Sequence, residues 1–151
     1  MKNNWIIKFL ISYLIITLFL AGCKKENSPT EPSLNPSEFV GTWKLTKVTV
    51  TLSGNNVELT PEQAETQMTI VAKSDGSFIM TTIKKDSTTG ENVTTVLTGT
   101  WKIANGKIEL KYSDGTSESL EFTLTGNKCT IKTTVQALGT TLPAVLEFTK
   151  Q

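Results

Sequence analysis

The chain has 151 residues with 15 basic and 14 acidic side chains, which suits one small domain and gives no excess positive charge for binding nucleic acid. All the basic residues are lysines, so the paired guanidinium contacts that arginine makes with phosphate or carboxylate are excluded. The chain also has no histidine, which removes the commonest general base and a common ligand of transition metals.

The N-terminal segment has the pattern of an export signal. Its short basic head ends at Lys8, and residues 9–20 are apolar apart from Ser12 and Thr17. An apolar run of this length matches a signal-peptide core of about 7 to 15 residues and is shorter than the roughly 20 residues of a membrane-spanning helix. The pattern predicts that residues 1–22 are a signal peptide and not a membrane anchor.

The end of this segment, Leu20-Ala21-Gly22-Cys23, resembles the lipobox of bacterial lipoproteins. The resemblance implies that the signal is cut before Cys23, that diacylglycerol is joined to the thiol, and that the new amino group is acylated. Because each buried methylene contributes about 0.8 kcal/mol and two acyl chains already give stable attachment, this lipid would anchor the protein to a membrane. The alternative is an ordinary secretory signal with a chance cysteine near the cleavage site.

The residue after Cys23 bears on the destination of the protein. In many bacterial lipoproteins an aspartate at this position retains the protein in the inner membrane, and this chain has Lys24 there. The resemblance therefore implies a cell-envelope lipoprotein of the outer membrane. Whether it faces the periplasm or the cell surface stays open.

The segment that follows has the composition of a flexible tether. Pro29, Pro32 and Pro36 lie among Ser, Thr, Asn and Glu, a composition that cannot bury apolar surface and stays extended. We predict the lipidated cysteine and its tether over residues 23–37 and one folded domain over residues 38–151.

From residue 39 onward the apolar side chains recur with a period of two, which is typical of β-strands. The sequences Ser74-Asp75-Gly76, Asn105-Gly106, Asp114-Gly115 and Gly126-Asn127 supply the positive φ angles of tight hairpin turns. The pattern predicts eight consecutive antiparallel strands, at about residues 39–52, 67–73, 77–84, 93–104, 107–113, 116–125, 128–137 and 143–150.

The alternation also predicts the inner face. The side chains on it are Ile108, Leu110, Tyr112, Leu120, Phe122, Leu124, Cys129, Ile131, Thr133, Val135, Leu146 and Phe148. In the first strand the phase slips between Leu45 and Val48, which predicts a bulge or bend near Thr46 and Lys47. Gly99 predicts a second corner in the long strand 93–104.

One short helix is predicted between the first two strands. Thr60-Pro61-Glu62-Gln63 has the residues of a capping box and supports one or two turns to about Thr66. Eight sequential antiparallel strands close most economically into an up-and-down barrel, because closure removes the exposed edges. The predicted fold is therefore an all-β, eight-stranded antiparallel barrel with one short helix, and a two-sheet sandwich is the main alternative.

Four short motifs resemble the small lipocalin-like lipoproteins of Gram-negative bacteria over residues 39–150. They are Gly41-Thr42-Trp43-Lys44, Asp75-Gly76-Ser77-Phe78, Gly99-Thr100-Trp101-Lys102-Ile103 and Leu146-Glu147-Phe148-Thr149-Lys150. In lipocalins the first-strand tryptophan plugs the closed end of the barrel and commonly stacks on an arginine near the last strand. The resemblance implies a lipocalin-like barrel with structural roles for Gly41 and Trp43, although this chain has no arginine for the stack.

The sequence shows no constellation typical of catalysis or of a metal site. It has no histidine base, no Ser-x-x-Lys pair and no histidine or cysteine cluster. The polar loop at residues 86–92 lacks the ligand spacing of a calcium loop. Cys129 shares a strand face with Ile131, which favours a buried core thiol over a reactive one. We predict a non-enzymatic protein with no metal and no cofactor.

The predicted function is binding of a small apolar or amphipathic ligand in the barrel mouth, gated by residues 53–66. The predicted lining residues are Phe78, Met80, Trp101, Tyr112 and Phe122, because an interior that mixes large rings with small or polar side chains need not be full. The alternative is an interaction module, such as an inhibitor, immunity factor or accessory subunit, whose filled barrel displays its loops to another envelope protein. The expected partners are thus the membrane, through the lipid anchor, and either a small hydrophobic ligand or an envelope protein, with no nucleic acid.

Overall fold

The computed structural model describes residues 35–151, apart from Ser87 and Leu138. The predicted signal peptide, Cys23 and most of the predicted tether lie outside these residues. The described part consists of one short helix, α1 (Pro36–Phe39), and nine strands: β1 (Gly41–Leu52), β2 (Asn55–Leu59), β3 (Thr66–Ala72), β4 (Ser77–Lys85), β5 (Asn92–Ala104), β6 (Lys107–Tyr112), β7 (Ser117–Thr125), β8 (Lys128–Ala137) and β9 (Thr140–Lys150). Within the described residues, no helical segment could span a bilayer.

Eight of these strands close into an antiparallel barrel, which confirms the predicted fold class. The sheet order runs from β1 to β3 and then consecutively to β9, and β9 pairs back onto β1. β2 is an addition to this barrel, since it pairs with the C-terminal half of β1. The predicted strands correspond to β1 and to β3 through β9.

β2 lies where the sequence predicts a loop, so this part of the prediction was wrong. Ser53 and Gly54 take positive φ angles of 50° and 81°, and the chain returns with Asn55 opposite Leu52. This is the geometry of a two-residue hairpin, which extends the sheet by one strand. The predicted loop at residues 53–66 is therefore a hairpin followed by a turn.

The predicted helical segment is a single turn. Its capping box forms as predicted, because the Thr60 N–H donates to Gln63 Oε1 at 2.9 Å and the Gln63 N–H donates to Thr60 Oγ1 at 3.2 Å. The Ala64 N–H donates to the Thr60 carbonyl at 2.9 Å. Glu65, at a φ of 47°, ends the turn before β3 begins.

The start of the first strand is also corrected. The sequence predicts a strand from residue 39, but β1 begins at Gly41 and Phe39 lies in α1. Asn35 caps this helix by accepting the Ser37 N–H at 3.1 Å, and Pro36 takes its first position. α1 thus begins before the predicted domain boundary at residue 38.

The predicted bulge is present, and Gly99 lies where two strands approach each other closely, while a corner there stays a prediction. The register between β1 and β9 shifts between Leu45 and Lys47, which confirms the bulge. At Gly99 a β-carbon would overlap the Lys111 carbonyl oxygen and crowd the Phe78 ring. A glycine is needed there because β6 approaches the β5 backbone so closely.

The inner face predicted from the alternation forms the core. Ile108, Leu110, Phe122, Cys129, Ile131 and Phe148 are buried, and Tyr112, Leu120, Leu124 and Leu146 pack against them. Thr133 and Val135, nearer the end of β8, are only half-buried. Burial therefore decreases along the inner face toward one end of the barrel.

Candidate functional site

The up-and-down topology gathers the connections of the barrel at two ends. One end, here called the base, carries α1 and the β3–β4, β5–β6 and β7–β8 turns. The other end, here called the mouth, carries the β1–β2 hairpin turn, the single turn before β3, and the β4–β5, β6–β7 and β8–β9 connections. The two ends differ sharply in how they are packed.

Aromatic rings fill the base. The Phe39 ring centroid lies 5.7 Å from that of Trp43, 5.0 Å from that of Trp101 and 6.2 Å from that of Phe122. The Trp43 Nε1–H donates to the Phe39 carbonyl at 2.7 Å. All four side chains are 7% exposed or less, so α1 acts as a plug whose last residue closes the barrel.

A lysine from the last strand covers this plug. Lys150 Nζ lies 5.3 Å from the Trp43 ring centroid and donates to the Glu38 carbonyl at 2.9 Å. A β-carbon at Gly41 would lie 2.6 Å from Lys150 Cε, so the glycine makes room for the lysine stem. Lys150 thus occupies the place that the resemblance assigns to an arginine, as a cation over the tryptophan ring.

The mouth exposes apolar side chains on its inner face. Leu52 is 44% exposed and Val57 is 42% exposed on the β1–β2 hairpin, and Val93 is 50% exposed and Leu97 is 37% exposed on β5. Val57 lies opposite Val50, and Leu97 lies opposite Met80. Because paired residues share a face and Val50 and Met80 pack against the core, these exposed side chains line the inside of the mouth.

The wall of the barrel is incomplete around the mouth. The β5–β6 register begins only at Gly99, and the β7–β8 register extends only from Thr125 to Phe122. Beyond these points β5 keeps β4 as its only paired strand, and β8 keeps only β9. The mouth is therefore open at its sides as well as at its end.

Polar groups mark the rim of the mouth. The Tyr112 hydroxyl donates to Glu118 Oε2 at 2.8 Å, and burial, this hydrogen bond and the Glu118 charge all raise the pKa of Tyr112 above its usual range. The phenol therefore stays protonated and keeps its donor. Lys84 lies opposite Val93, which places it on the inner face near the end of β4. Together these groups offer a rim of donors and charges around an apolar interior.

The five predicted ligand-binding residues separate into two groups. Phe78, Trp101 and Phe122 are buried, whereas Met80 and Tyr112 are half-buried. The Phe78 and Tyr112 rings meet edge to face at 5.7 Å. Ligand contact by these residues stays a prediction, and the structure favours Met80 and Tyr112 because they lie nearer the mouth.

Sequence reasoning missed the exposed apolar residues of the mouth. Val93 and Leu97 have the same parity as Trp101 and so continue its inner face along β5. The sequence predicts the end of a strand at Leu52 and a loop at Val57. The alternation of inward and outward side chains identifies these residues when it is followed along each strand beyond the buried core.

Two grooves lie on the surface of the described residues. One, of about 410 Å³, is lined by residues of β5, β6 and β7 that mostly face outward, namely Thr100, Trp101, Lys102, Glu109, Leu110, Lys111, Ser117, Glu118 and Ser119. The other, of about 180 Å³, lies beside the turn at Pro61 and Glu62. Of the five predicted ligand-binding residues, only Trp101 lines either groove.

The site has few groups suited to catalysis. Within the described residues no cluster of His, Cys, Asp or Glu is placed to hold a metal ion. Cys129 is 1% exposed, and burial raises the pKa of its thiol to about 12, so it is a core thiol as predicted. Asp86 accepts the N–H groups of Thr88 and Thr89 at 2.7 and 2.9 Å, which organises a turn.

Comparison with known proteins adds a family. The chain matches the model of the lipocalin-like domain over residues 39–131. It is similar to an uncharacterized protein from Bacteroides eggerthii, with 13% identity over 74% of this chain and 98% of that one and a TM-score of 0.45. It is also similar to the bovine lipocalin allergen Bos d 2, with 14% identity over 78% of this chain and 76% of that one and a TM-score of 0.47. The possum milk whey lipocalin trichosurin, solved with bound 4-ethylphenol, shares 11% identity over 72% of this chain and 73% of that one with a TM-score of 0.44. No curated protein sequence matches the chain.

Proposed function

Because this chain belongs to the lipocalin-like domain family, we propose that it binds a small apolar or amphipathic molecule at the mouth of its barrel without catalysing a reaction on it. A lipocalin-like barrel is a suitable container for a small ligand. The location at the mouth follows from the packing, since the base is filled by its own aromatic rings.

The observation that carries this proposal is the apolar inner face of the mouth. Leu52, Val57, Val93 and Leu97 are each at least 37% exposed although their faces point into the barrel. Removing apolar surface from water contributes about 25 cal/mol per Å², so a ligand that covers these side chains gains free energy from each of them. Apolar walls with a few polar groups at the rim are typical of small-molecule sites.

The same geometry limits the shape of the ligand. Phe39, Trp101 and Phe122 occupy the base, so the ligand enters only the upper part of the barrel. Its apolar body would contact Met80 and Leu97, and its polar end would lie near Tyr112 or Lys84 at the rim. We therefore propose a compact amphipathic molecule or the end of a longer chain.

A matched pair of substitutions tests this site. Leu97→Lys places an ammonium on the inner face, and Val96→Lys places one on the outer face of the same strand, at a residue that is 56% exposed. We expect Leu97→Lys to weaken saturable binding of the uncharged apolar dye N-phenyl-1-naphthylamine by about tenfold or more, because the dye would have to desolvate the charge. Val96→Lys should bind as the parent does. Equal loss in both variants, or no saturable binding by the parent, would contradict the proposal.

The second part of the proposal is the cellular location of the protein. Lipid on Cys23 would hold the barrel at a bacterial membrane, the outer membrane being favoured by Lys24, with palmitate among the acyl chains by resemblance. Because α1 begins at Pro36, the extended part of the tether can include residues 24–35, which at about 3.1 Å per residue reach roughly 37 Å from the bilayer. Labelling with radioactive palmitate should be lost in Cys23→Ser and kept in Cys129→Ser, because the latter thiol is buried. Unchanged labelling of Cys23→Ser would overturn the anchor.

The alternative function is a display module, and the filled base favours it. If the folded protein binds no probe, and native mass spectrometry detects no small molecule bound to it, its barrel serves only to present its loops to an envelope protein. Bound lipid or another small molecule in the native protein would exclude this alternative.

A further inference from the structure

The mouth half of β5 has an edge that no other described strand covers. β4 pairs with β5 all the way to Asn92, but β6 pairs with it only from Gly99 to Ala104. The last contact on the β6 side is the Ser113 N–H, which donates to the Thr98 carbonyl at 2.9 Å. From Asn92 to Leu97 the strand thus has one paired side and, among the described residues, one open side.

The direction of the backbone groups along this edge is known from that last contact. In a strand the N–H and C=O of one residue point to the same side, and successive residues alternate. Because the Thr98 carbonyl points away from β4, the backbone groups of Val96 and Thr94 do as well. The open side of β5 therefore presents the N–H and C=O of these two residues for pairing.

This edge lacks the protection found on other incomplete edges of the barrel. Residues 92–101 contain no charged residue and no proline, the two features that usually prevent strand addition. Where β7 and β8 separate, Glu121 and Lys132 carry charges and form an ion pair at 2.9 Å. On β2, Glu58 forms one with Lys47 at 3.2 Å. Unlike these edges, the β5 edge has no charged side chain and is rich in β-branched residues.

We propose that the β5 edge pairs antiparallel with the same edge of a second copy of this chain, in a twofold dimer centred on Thr95. This register places Thr94 opposite Val96 of the partner, so the outward N–H and C=O groups of both residues form hydrogen bonds. It also places Val93 opposite the partner's Leu97, and the twofold axis makes this apolar pair twice.

Self-pairing suits this strand better than pairing with a charged peptide. Val93, Val96 and Leu97 are 50%, 56% and 37% exposed, and all three gain cover in the dimer. No like charges meet across the axis, because the strand has none, and a charged partner would find no complementary group on it. A single strand pair buries less than the roughly 1,200 Å² of a stable interface, so the dimer should dissociate on dilution.

Cysteine cross-linking tests the register in the full-length chain carrying Cys23→Ser, where the remaining native thiol, Cys129, is buried. Thr95 would face its own copy in a non-hydrogen-bonded pair with a Cα separation of about 4.5 Å, which allows a disulfide. Thr95→Cys should therefore form a covalent dimer on mild oxidation. The matched control Thr94→Cys lies off the axis, beyond the roughly 7 Å limit for a disulfide, and should yield at least about fivefold less dimer.

Charge variants give an independent measure of the same contact. Thr95→Lys alone and Thr95→Glu alone should abolish the concentration-dependent dimer in sedimentation velocity, because like charges meet across the axis. A mixture of the two variants should restore it as a mixed dimer. Thr134→Lys, at an exposed threonine of β8, should leave the dimer intact.

Several outcomes would overturn the proposal. Cross-linking through position 94 instead of position 95, or loss of the dimer in Thr134→Lys, would place the contact elsewhere. A monomer at all concentrations would also overturn it, whether the thiol at position 95 reacts freely with a maleimide or is covered by another segment of the same chain. These measurements need no bound ligand, so their result is independent of the proposed binding at the mouth.

Discussion

The base and the mouth of this barrel are built from the same strands but differ in how densely their interiors are packed. At the base, Phe39, Trp43, Trp101 and Phe122 fill the interior, and the indole N–H groups of Trp43 and Trp101 each donate to a backbone carbonyl. At the mouth, β5 and β8 each lose one neighbouring strand, and apolar side chains on the inner face are exposed. The difference indicates that stability is concentrated at one end, which leaves the other end available for a ligand or a second copy.

This division has a consequence for dynamics. Regions with few buried contacts and unpaired strands open at a lower free energy than the global unfolding free energy. We therefore expect substitutions at the base to change global stability and substitutions at the mouth to change binding.

The largest effect is expected for Trp43→Ala. The ring is 1% exposed, stacks on Phe39 and lies under Lys150, so its loss should reduce the free energy of unfolding by about 3 to 5 kcal/mol. Leu52→Ala at the mouth, where the side chain is 44% exposed, should cost about 0.5 kcal/mol or less. Urea unfolding measures both. Similar losses at the two positions would show that stability is not concentrated at the base.

The next effect is expected for Gly99→Ala, where β5 begins to pair with β6. A β-carbon would overlap the Lys111 carbonyl oxygen, so β5 and β6 must move apart. We expect a cost of about 1 to 3 kcal/mol in urea unfolding. Gly115→Ala is the control for space, since nothing lies within 4 Å of a β-carbon there, although its φ of 91° adds strain of its own. An unchanged midpoint in Gly99→Ala would mean that β6 accommodates the methyl group.

A smaller effect is expected for Lys150→Met, which keeps the apolar stem and removes the cation from the Trp43 ring. The loss should be about 0.5 to 1 kcal/mol, because the cation–π contact and the hydrogen bond to the Glu38 carbonyl are both partly exposed. Lys150→Arg should restore the parent stability, since a guanidinium also stacks on tryptophan. A greater loss in Lys150→Arg than in Lys150→Met would show that the space beside Gly41 decides the contact.

The sequence was sufficient to predict the closed barrel because its signals are local. Alternation assigned Ile108, Phe122 and Phe148 to the inner face, and the phase slip between Leu45 and Val48 located the bulge. These features depend on residues that are neighbours in the chain, so no knowledge of the remote contacts is needed.

The parts that the sequence did not predict depend on remote contacts. Phe39 is an apolar residue before a strand, and its place in α1 becomes clear only when Trp101 and Phe122 are present to receive the ring. For a similar reason, some of the predicted ligand-binding residues lie deeper in the barrel than the exposed apolar residues of the mouth. Alternation identifies the face of a side chain but not its height along the barrel, so buried Phe78 and half-buried Met80 looked equivalent.

The smallest effect is expected for two turns that have the same hydrogen bonds, one at each end of the barrel. Asp75 at the base accepts the Ser77 hydroxyl at 2.6 Å and the Ser77 N–H at 2.8 Å, and Asp114 at the mouth accepts the same groups of Thr116 at 2.6 and 2.9 Å. The hydrogen bond from the hydroxyl is the main cause, and the hydrogen bond from the N–H the second, of a lowered pKa in both carboxyl groups. Ionised aspartate therefore stabilises the folded state above the unfolded pKa of about 3.9, and this contribution is lost as the pH falls through the lower folded pKa.

Asparagine at these positions keeps an acceptor oxygen but removes the charge, so it isolates the pH-dependent part. The base turn also holds the buried indole, because the Trp101 N–H donates to the Gly76 carbonyl at 2.7 Å and its Nε1–H donates to the Ser77 carbonyl at 3.1 Å. We expect Asp75→Asn to lower the urea midpoint at pH 7 more than Asp114→Asn does, and both differences from the parent to shrink below about pH 3.9. Equal losses from the two variants at pH 7 would show that the mouth turn unfolds together with the base. A loss that persists undiminished in acid would mean that the aspartate charge is not its source.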